Sequence, residues 1–348
     1  MKYYIFTLGC QMNISDSERI KAILESCGYT SAPEKGADLI IVNACSVRQA
    51  AVDRIFGKLK RWQGKRVFIT GCVLSADKSK LKNKVELIFD IKELQKLPQY
   101  LNCKSMSDKY KNYLQVGVFH DKKSTKKEAF VPIMTGCNNF CTYCAVPYTR
   151  GREISRPEKE IINEVKKLVC EKVKKILLLG QNVNNYGFDL KNSSFTKLLK
   201  KIIKIPGKFQ ISFMTSNPWN FSDELIELIA KEPKISKEIH LPMQSGDDEI
   251  LCKMNRKYTV KQYLKLVNNL RYAISNLRLS TDIIVGFPTE TKKAFENTIR
   301  LCKKAKFDKA YIGMYSPRPG TVSAKIYKDD VSRKEKKRRW KVLNDLIN

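Results

Sequence analysis

The sequence predicts an α/β fold in two parts, an N-terminal open parallel α/β sheet domain followed by a partial (β/α)6 barrel. Short β-rich apolar runs alternate with amphipathic helical stretches from end to end, which is typical of parallel sheets linked by helices. A polar, lysine-containing stretch over 103–127 separates four such runs from six further ones. Because crossovers between parallel strands are right-handed, six consecutive βα units favour a closed or partly open barrel.

The first part contains four predicted strands and two predicted helices. The apolar runs predict strands over Tyr3–Leu8, Asp38–Ala44, Arg66–Thr70 and Glu86–Phe89. The amphipathic stretches predict helices over Asp16–Cys27 and Arg48–Trp62. Ser15 and Glu18 have the spacing of a capping box, which places the start of the first helix there.

The second part contains six predicted strands with a helix in each gap. The strands are Phe130–Thr135, Lys175–Gly180, Phe209–Thr215, Glu238–Met243, Arg278–Val285 and Lys309–Tyr315. The helices include Pro157–Glu171, Ser222–Lys231, Thr259–Ile274 and Lys292–Lys306.

These elements predict a division into an N-terminal domain over 1–102, a linker over 103–127, a barrel domain over 128–331 and a basic C-terminal helix over 332–348. The last helix begins with a capping-box pair, Ser332 and Glu335. Trp340, Leu343 and Ile347 recur at helical spacing, so we expect one face to pack on the barrel and the basic face to stay exposed.

Charge and cysteine content limit the function classes. The chain has 66 Lys and Arg against 35 Asp and Glu, a formal net charge of +31, which favours a polyanionic partner such as nucleic acid or an anionic membrane surface. Lysine-rich solvated helices would give the same excess. The 11 cysteines are odd in number and tightly spaced in places, which favours a reduced, cytoplasmic protein over a disulfide-bonded one. No apolar run is long enough to span a membrane.

Three cysteines cluster directly after the first predicted barrel strand. Cys137, Cys141 and Cys144 have three and two residues between them. Thiolates are the ligands of iron–sulfur clusters, and three of them leave one iron open to a substrate or cofactor. A structural zinc site would normally need a fourth Cys or His nearby, and the two histidines, His120 and His240, lie far away in the sequence.

Three more cysteines share a position in the first part. Cys10, Cys45 and Cys72 each stand one or two residues beyond a predicted strand. The carboxyl ends of parallel strands share one edge of a sheet, so these thiols can converge. A single strand-terminal cysteine can also be a small buried apolar residue. The remaining cysteines show no such register: Cys27, Cys103, Cys170, Cys252 and Cys302.

The motifs around these cysteines resemble the radical S-adenosylmethionine methylthiotransferase family over nearly the whole chain. The motifs are Gly9-Cys10-Gln11-Met12-Asn13, Asn43-Ala44-Cys45-Ser46-Val47-Arg48, Gly71-Cys72-Val73, the barrel cysteines with Tyr143, Val146-Pro147-Tyr148-Thr149-Arg150-Gly151, Ser155-Arg156-Pro157, Leu179-Gly180-Gln181-Asn182-Val183-Asn184, His240-Leu241-Pro242-Met243-Gln244-Ser245-Gly246, Ile284-Val285-Gly286-Phe287-Pro288 and Arg318-Pro319-Gly320-Thr321.

The resemblance implies two [4Fe–4S] clusters and S-adenosyl-L-methionine. The auxiliary cluster, on Cys10, Cys45 and Cys72, would supply sulfur that one S-adenosylmethionine methylates. A second S-adenosylmethionine, at the Cys137, Cys141 and Cys144 cluster, would give a radical that removes hydrogen from the target carbon. Such cofactors carry the difficult chemistry while the protein orients them.

The Gln11-Met12-Asn13 motif after Cys10 and the run over 141–151 resemble the branch that adds methylthio to C2 of isopentenylated adenosine at position 37 of tRNA. The resemblance implies tRNA as partner, an electron donor such as flavodoxin or ferredoxin, no membrane partner and a monomer. Two alternatives stay open. One is the branch that acts on threonylcarbamoyl-adenosine, and the other is a non-catalytic iron–sulfur RNA-binding sensor.

Several further residues are candidates for binding. Tyr143 would pack near the adenine of the cofactor, or be ordinary core. Gln181, at a barrel-strand end, could contact cofactor or substrate, or be a structural amide. Asp282 lies within a barrel strand, where a carboxylate needs a polar ligand or an ion-pair partner. His240 is more simply explained as a structural histidine.

Basic residues are the candidates for binding RNA. Arg150 and Arg156 could bind a phosphate or the cofactor carboxylate, or pair with Glu153 and Glu158. Family members usually continue into a small C-terminal β-barrel that helps to hold tRNA, whereas this sequence ends at Asn348. We therefore expect the C-terminal helix to bind phosphates through Lys336, Lys337, Arg338 and Arg339. The alternative is that this helix is a solvated connector to a further domain.

Overall fold

In a computed structural model of the chain, residues 1–103, 113–115, 128–214 and 216–348 are described. The predicted linker therefore lies almost entirely outside the described residues. The chain forms two compact units. The first unit comprises 1–126, 144–152 and 318–320, and the second comprises 127–143, 153–317 and 321–348. These units show which segments pack together. They are not a test of the predicted domain boundaries, which stay a prediction.

The first unit is built on a five-stranded sheet in which every neighbouring pair is parallel. Its spatial order is β2-β1-β3-β4-β5. The strands are β1 (Lys2–Thr7), β2 (Thr30–Ser31), β3 (Leu39–Cys45), β4 (Arg66–Cys72) and β5 (Leu87–Ile88). The helices are α1 (Gln11–Ser26), α2 (Gln49–Leu59), α3 (Ser75–Leu81) and α4 (Leu97–Tyr100). The predicted open parallel sheet is confirmed.

Both faces of this sheet are covered. Residues 39–44 of β3 are all buried, as expected for a central parallel strand with helices on each side. Alternate side chains point to opposite faces, so Leu39 and Ile41 join one apolar cluster while Ile40 and Val42 join another. The first cluster includes Ile20 of α1, and the second includes residues of α2. This arrangement fixes the carboxyl ends of β3 and β4 at one edge.

The predicted start of the first helix is wrong. Helix α1 begins at Gln11, and Cys10 and Asn13 form its capping box. Ser15 is buried within the helix, where its Oγ accepts a hydrogen bond of 3.1 Å from Arg19 Nη1. Asn13 is also buried. The helix therefore packs against the rest of the unit already in the turn before Ser15, where the local capping signal predicted its start. The strand β2 was not predicted because its two residues are exposed and lack an apolar pattern.

Six strands of the second unit form two parallel three-stranded sheets, with spatial orders β10-β9-β6 and β11-β12-β13. A parallel bridge between Ile211 and Ile235 lies where the two sheets meet. The strands are β6 (Glu128–Pro132), β9 (Lys175–Leu179), β10 (Gln210–Phe213), β11 (Glu238–His240), β12 (Arg278–Val285) and β13 (Lys309–Met314). The partial (β/α)6 barrel is confirmed.

The first barrel strand is shorter than predicted. After Pro132 the chain leaves the parallel sheet, and β7 (Met134–Thr135) pairs antiparallel with β8 (Ile154–Ser155). The cysteine-rich loop and α5 (Val146–Arg150) lie between these two short strands.

Helices follow the barrel strands, as predicted, with caps that the sequence contains. Ser222, Thr259 and Thr291 each cap a helix by accepting a hydrogen bond from the third residue beyond them. The helices are α6 (Glu158–Cys170), α7 (Phe195–Ile203), α8 (Asp223–Lys231), α9 (Asp248–Lys253), α10 (Val260–Ala273), α11 (Lys292–Ala305), α12 (Val322–Ile326) and α13 (Arg333–Ile347). Among the described residues, no helix is long and apolar enough to cross a membrane.

Helix α13 packs on the barrel, but its exposed face is not the predicted one. Ser332 caps it by accepting a 3.3 Å hydrogen bond from the Glu335 amide, and Leu343 is fully buried in the core. Lys336 and Arg339, which were expected to face solvent, are only 5% and 4% exposed. They lie two turns and one turn before Leu343, respectively, on the same face, so they are buried with it.

Candidate functional sites

The first candidate site lies at the carboxyl edge of the sheet in the first unit. Cys45 and Cys72 are the last residues of β3 and β4 and are direct partners in the strand register. Cys10 is the N-cap residue of α1. A Cβ atom on Gly9, which has a φ of +120°, would lie 3.1 Å from the Cβ of Cys45, so the chain before Cys10 passes close beside Cys45. The structure thus brings the three predicted thiols to one edge.

Two asparagines from the cysteine motifs hold this edge together. Asn13 Nδ2 donates to Asn43 Oδ1 and to the Ala44 carbonyl, both at 3.1 Å, and Asn43 Nδ2 donates to the Asn13 carbonyl at 2.6 Å. Both side chains are buried. Gly71, with a φ of +93°, has no room for a side chain, since a Cβ would lie 2.4 Å from Asn43 Oδ1. The motif residues beside the cysteines therefore position the thiols.

Burial, together with neighbouring thiolates, raises the pKa values of the Cys45 and Cys72 thiols. Burial raises the pKa of Cys45 to about 11, and negative charge on Cys72 and Cys10 contributes to the shift. Burial also raises the pKa of the Cys72 thiol, and the positive charge of Arg150 opposes this. A bound cation or cationic cluster would relieve the repulsion between the thiolates, because metal coordination favours the deprotonated form.

Two buried arginines from distant parts of the sequence complete the first unit around this edge. Arg150, 2% exposed, donates from Nε to Cys72 Sγ at 3.0 Å and from Nη2 to Asp16 Oδ2 at 2.6 Å. Arg318, also 2% exposed, donates from Nε to the Ser46 carbonyl at 2.8 Å and from Nη2 to Asp77 Oδ2 at 2.6 Å. Each arginine fixes a loop next to a cysteine.

The second candidate site is the loop after β7. Cys137 and Cys141 are buried in the second unit, and burial raises the pKa of Cys137 to about 12. The buried carboxylate of Glu153 accepts from the Asn138 amide at 3.2 Å and from Asn182 Nδ2 at 3.0 Å. Arg256 Nη1 lies 3.5 Å from Cys141 Sγ, and its Nη2 donates to the Pro242 carbonyl at 2.9 Å. This loop is tied to the ends of the neighbouring barrel strands.

Cys144, the third cysteine of this loop, is half-buried and begins the segment that packs in the first unit. Among the described residues, no group of three His, Cys, Asp or Glu side chains could hold a metal ion. A single tetrahedral ion needs thiolate sulfurs about 2.3 Å from one centre. A four-iron cluster is larger, so its thiolates bind different irons and stand further apart.

Of the tentative cofactor residues, Tyr143 packs against the apolar cluster that contains Met254 and Phe287. Gln181, after β9, has a buried Oε1 without a hydrogen-bond partner among the described residues. Asp282 is not deeply buried: its side chain is 40% exposed, and Oδ2 lies 3.1 Å from His240 Nε2. The expected desolvation of Asp282 is therefore small.

Two buried polar groups at barrel-strand ends were not predicted. The Ser216 hydroxyl follows β10, and Gln244, with a φ of +63°, follows β11. Ser216 Oγ and Gln244 Oε1 are both buried without a partner among the described residues. Leaving a buried polar atom unpaired costs about 1–3 kcal/mol, so these atoms are suited to binding a polar group. Gln244 stands in a motif that the sequence already singled out, whereas Ser216 does not.

The predicted RNA contacts of four basic residues need correction. Arg150 is buried against Asp16 and Cys72, and Arg156 is 8% exposed and pairs with Glu160 and Glu164. Within the described part of the chain, neither pairs with Glu153 or Glu158, and neither reaches the surface to meet a phosphate. In α13, the buried ammonium of Lys336 donates to the Tyr315 carbonyl at 3.1 Å and to Asp329.

Arg339 is held inside as well, because its Nη1 donates to the Glu290 carbonyl at 2.7 Å. Lys337 and Arg338 are exposed, and Arg338 pairs with Glu335. Arg333, Lys334 and Lys341 are also exposed on this helix.

Comparison with known proteins places these features in a family. Residues 131–302 match the Radical SAM superfamily, and residues 2–90 match the uncharacterized protein family UPF0004. A tRNA-2-methylthio-N(6)-dimethylallyladenosine synthase of Thermotoga petrophila is 42% identical over 99% of this chain and 81% of its own length. The chain belongs to the radical S-adenosylmethionine methylthiotransferase family.

Other members are similarly close to this methylthiotransferase. The synthases of the same name from Clostridium botulinum (strain Hall) and Carboxydothermus hydrogenoformans are 43% and 42% identical, over 81% and 83% of their lengths. They cover 100% and 99% of this chain.

Solved structures support the fold. The radical S-adenosylmethionine methyltransferase TsrM of Kitasatospora setae, solved with cobalamin and a [4Fe–4S] cluster, covers 93% of this chain and 76% of its own, with a TM-score of 0.65 and 12% identity. The cobalamin-dependent radical enzyme OxsB covers 97% of this chain and 56% of its own, with a TM-score of 0.57 and 11% identity. At such identities the likeness concerns the fold alone.

Proposed function

We propose that this methylthiotransferase adds a methylthio group to C2 of isopentenylated adenosine at position 37 of tRNA, using two [4Fe–4S] clusters and two S-adenosylmethionine molecules. The observation that carries the proposal is the convergence of Cys10, Cys45 and Cys72 at one sheet edge. The names of relatives that are 42–43% identical over nearly the whole chain support the substrate.

The donor set in the first unit fits an iron–sulfur cluster. It consists of three thiols with no carboxylate or imidazole among them, which suits iron–sulfur chemistry. The strand register between Cys45 and Cys72 fixes their spacing, and the Asn13–Asn43 pair fixes α1, on which Cys10 stands. Three thiols leave one iron free of protein ligands. This triad is our proposed auxiliary centre.

The loop over 137–144 is our proposed site for the second cluster and S-adenosylmethionine. When bound, the two clusters supply one-electron cleavage of S-adenosylmethionine and the sulfur for transfer. Cys137, Cys141 and Cys144 would hold the cluster, and Arg256 would donate to Cys141. The unpaired atoms of Gln181, Ser216 and Gln244 are available to orient a polar ligand at the carboxyl ends of the barrel strands.

Charge supports tRNA as the substrate. The net charge of +31 favours a polyanion, and α13 presents exposed cations of which Arg333, Lys334, Lys337 and Lys341 lie outside the buried face. Phosphate contacts of this kind give affinity without base specificity. The specificity for a modified adenosine would lie with the barrel.

The experiment is nucleoside analysis of product tRNA. The protein is reconstituted anaerobically with iron and sulfide and given S-adenosylmethionine, a reductant and one of two tRNAs, carrying isopentenyl- or threonylcarbamoyl-adenosine. We expect mass spectrometry to find a methylthio group on the isopentenylated nucleoside only. Methylthiolation of the threonylcarbamoyl nucleoside instead would assign the other branch. Cluster binding without cleavage of S-adenosylmethionine would favour the RNA-binding sensor and contradict the proposal.

A further inference from the structure

Arg150 is a buried arginine that donates a hydrogen bond to a cysteine sulfur. Its Nε lies 3.0 Å from Cys72 Sγ, and only 2% of the residue is exposed. Arg150 and Cys72 belong to the same compact unit, although they are far apart in the sequence. The contact is held by α5, whose last residue is Arg150.

The charges around Arg150 leave its guanidinium available to that sulfur. Asp16 is its one acidic partner in the described residues, at 2.6 Å, and Asp16 also accepts a hydrogen bond from Tyr113. Arg19 lies nearby, 5.5 Å from the centre of the Tyr113 ring. Arg150 Nη1 is buried without a hydrogen-bond partner in the described part of the chain. The positive charge of Arg150 is therefore only partly engaged by oxygen acceptors.

We infer that Arg150 is a positioning residue of the auxiliary centre: it holds the Cys72 thiolate, and its charge raises the reduction potential of a cluster bound there. The inference rests on the proposed function, in which Cys72 is a cluster ligand. Hydrogen bonds to cluster sulfurs and nearby charges set the potential of such clusters. Reduction adds one electron to the cluster, so a cation beside a ligand sulfur stabilises the reduced form.

The carboxylate of Asp16 beside Arg150 allows a test based on the sign of the change in reduction potential. Asp16 and Arg150 form one buried pair, with exposed fractions of 0% and 2% for the two side chains. Removing either partner breaks the same ion pair and loosens the same region. The electrostatic effects on the cluster are nevertheless opposite, because Arg150→Gln removes a positive charge and Asp16→Asn removes a negative one.

The experiment uses the full chain with Cys137, Cys141 and Cys144 replaced by Ala, so that only the auxiliary cluster remains. After anaerobic reconstitution, the potential is measured by a redox titration followed by electron paramagnetic resonance. We expect Arg150→Gln to shift the potential to more negative values and Asp16→Asn to shift it to more positive values. Arg150→Lys keeps the charge and loses the Nε donor, so we expect a smaller negative shift. Arg66→Gln, which removes an exposed ion pair in the same unit, should leave the potential unchanged.

Unchanged potentials, or shifts of the same sign in Arg150→Gln and Asp16→Asn, would overturn the inference, since a purely structural role predicts no opposition of sign. If the Arg150→Gln protein binds no iron, the potentials of the Arg150→Lys and Asp16→Asn proteins are compared instead. Shifts of opposite sign are again expected, and shifts of the same sign or no shifts would overturn the inference. Failure of the proposed function has a different signature: the parent with three alanines would then bind no cluster at all, and the inference would fall with it.

Discussion

Arg318 and Asp77 form a buried ion pair in the first unit, with side-chain exposures of 1% and 4%. Replacing Arg318 by Ala leaves the Asp77 carboxylate and the Ser46 carbonyl buried without this donor. Loss of one partner of a buried pair costs about 3–5 kcal/mol. We therefore expect the urea midpoint of the cluster-free R318A protein, followed by circular dichroism, to fall markedly.

The control is R66A, because Arg66 pairs with Glu86 at the surface of the same unit. An exposed pair contributes at most about 1 kcal/mol. Equal urea midpoints for R318A and R66A would show that the buried pair does not stabilise the loop after Cys45.

The thiol of Cys45 should react slowly in the cluster-free protein. Its pKa is raised to about 11, and only the thiolate reacts with iodoacetamide. The rate of alkylation should therefore rise about tenfold for each pH unit between pH 7 and 10. Peptide mass spectrometry measures this rate, with the exposed Cys170 as the control for access of the reagent. Modification of Cys45 as fast as Cys170 at pH 7.5 would contradict the described environment.

At the scale of single residues, apolar runs indicated the strand ends, and Cys45 and Cys72 do end β3 and β4. Their role as cluster ligands stays a prediction. The sequence did not indicate the partner of Arg150, because Asp16 is reached only through tertiary packing, whereas Arg156 pairs with Glu160 four residues further along the chain. Asp16 lies on α1, far from Arg150 in the sequence, and nothing near Arg150 indicates that pair. Lys336 donates to the Tyr315 carbonyl on the loop after β13, 21 residues earlier, whereas its acidic partner Asp329 lies seven residues before it.

At the scale of elements, helix α13 carries two kinds of cation: Lys336 and Arg339 are buried, whereas others are exposed. Replacing Arg333, Lys334, Lys337 and Lys341 together by Gln should flatten the slope of log affinity for tRNA against log salt. Each phosphate that the helix no longer neutralises reduces that slope by about 0.7–0.9. The melting temperature should hardly change, because all four side chains are exposed.

A matched variant removes four exposed lysines from α7 and α8, Lys197, Lys200, Lys201 and Lys231. It loses the same charge, so an equal change of slope in both variants would show that binding follows net charge and not α13. Cleavage of S-adenosylmethionine should be unaffected in both.

Element boundaries were predictable where local signals and packing agree. The strand β12 has the predicted bounds, and its buried and half-buried residues alternate along its length. Helix α1 differs because Asn13 and Asn43 bond to each other, which extends the helix to Cys10. Local capping rules favoured Ser15, because they consider only three or four consecutive residues. They take no account of Asn43, which lies on a strand 30 residues away.

At the scale of the whole molecule, the alternation of strands and helices sufficed to predict both architectures, because parallel strands with helical crossovers allow few topologies. The predicted linker lies almost wholly outside the described residues and stays a prediction. The two short segments that pack in the first unit, 144–152 and 318–320, could not be predicted, since their packing depends on Arg150 and Arg318 being buried.

The central claim is that the two cysteine triads form two centres with different tasks, and the Cys45→Ala variant tests it most directly. The measurement is the yield of 5′-deoxyadenosine and of methylthiolated nucleoside from the same anaerobic reaction with tRNA, with Cys141→Ala as the matched control. We expect the Cys45 variant to keep releasing 5′-deoxyadenosine and to make no methylthiolated product, while the Cys141 variant makes neither and still retains iron on the first triad. Methylthiolated product at normal yield from the Cys45 variant would contradict the account.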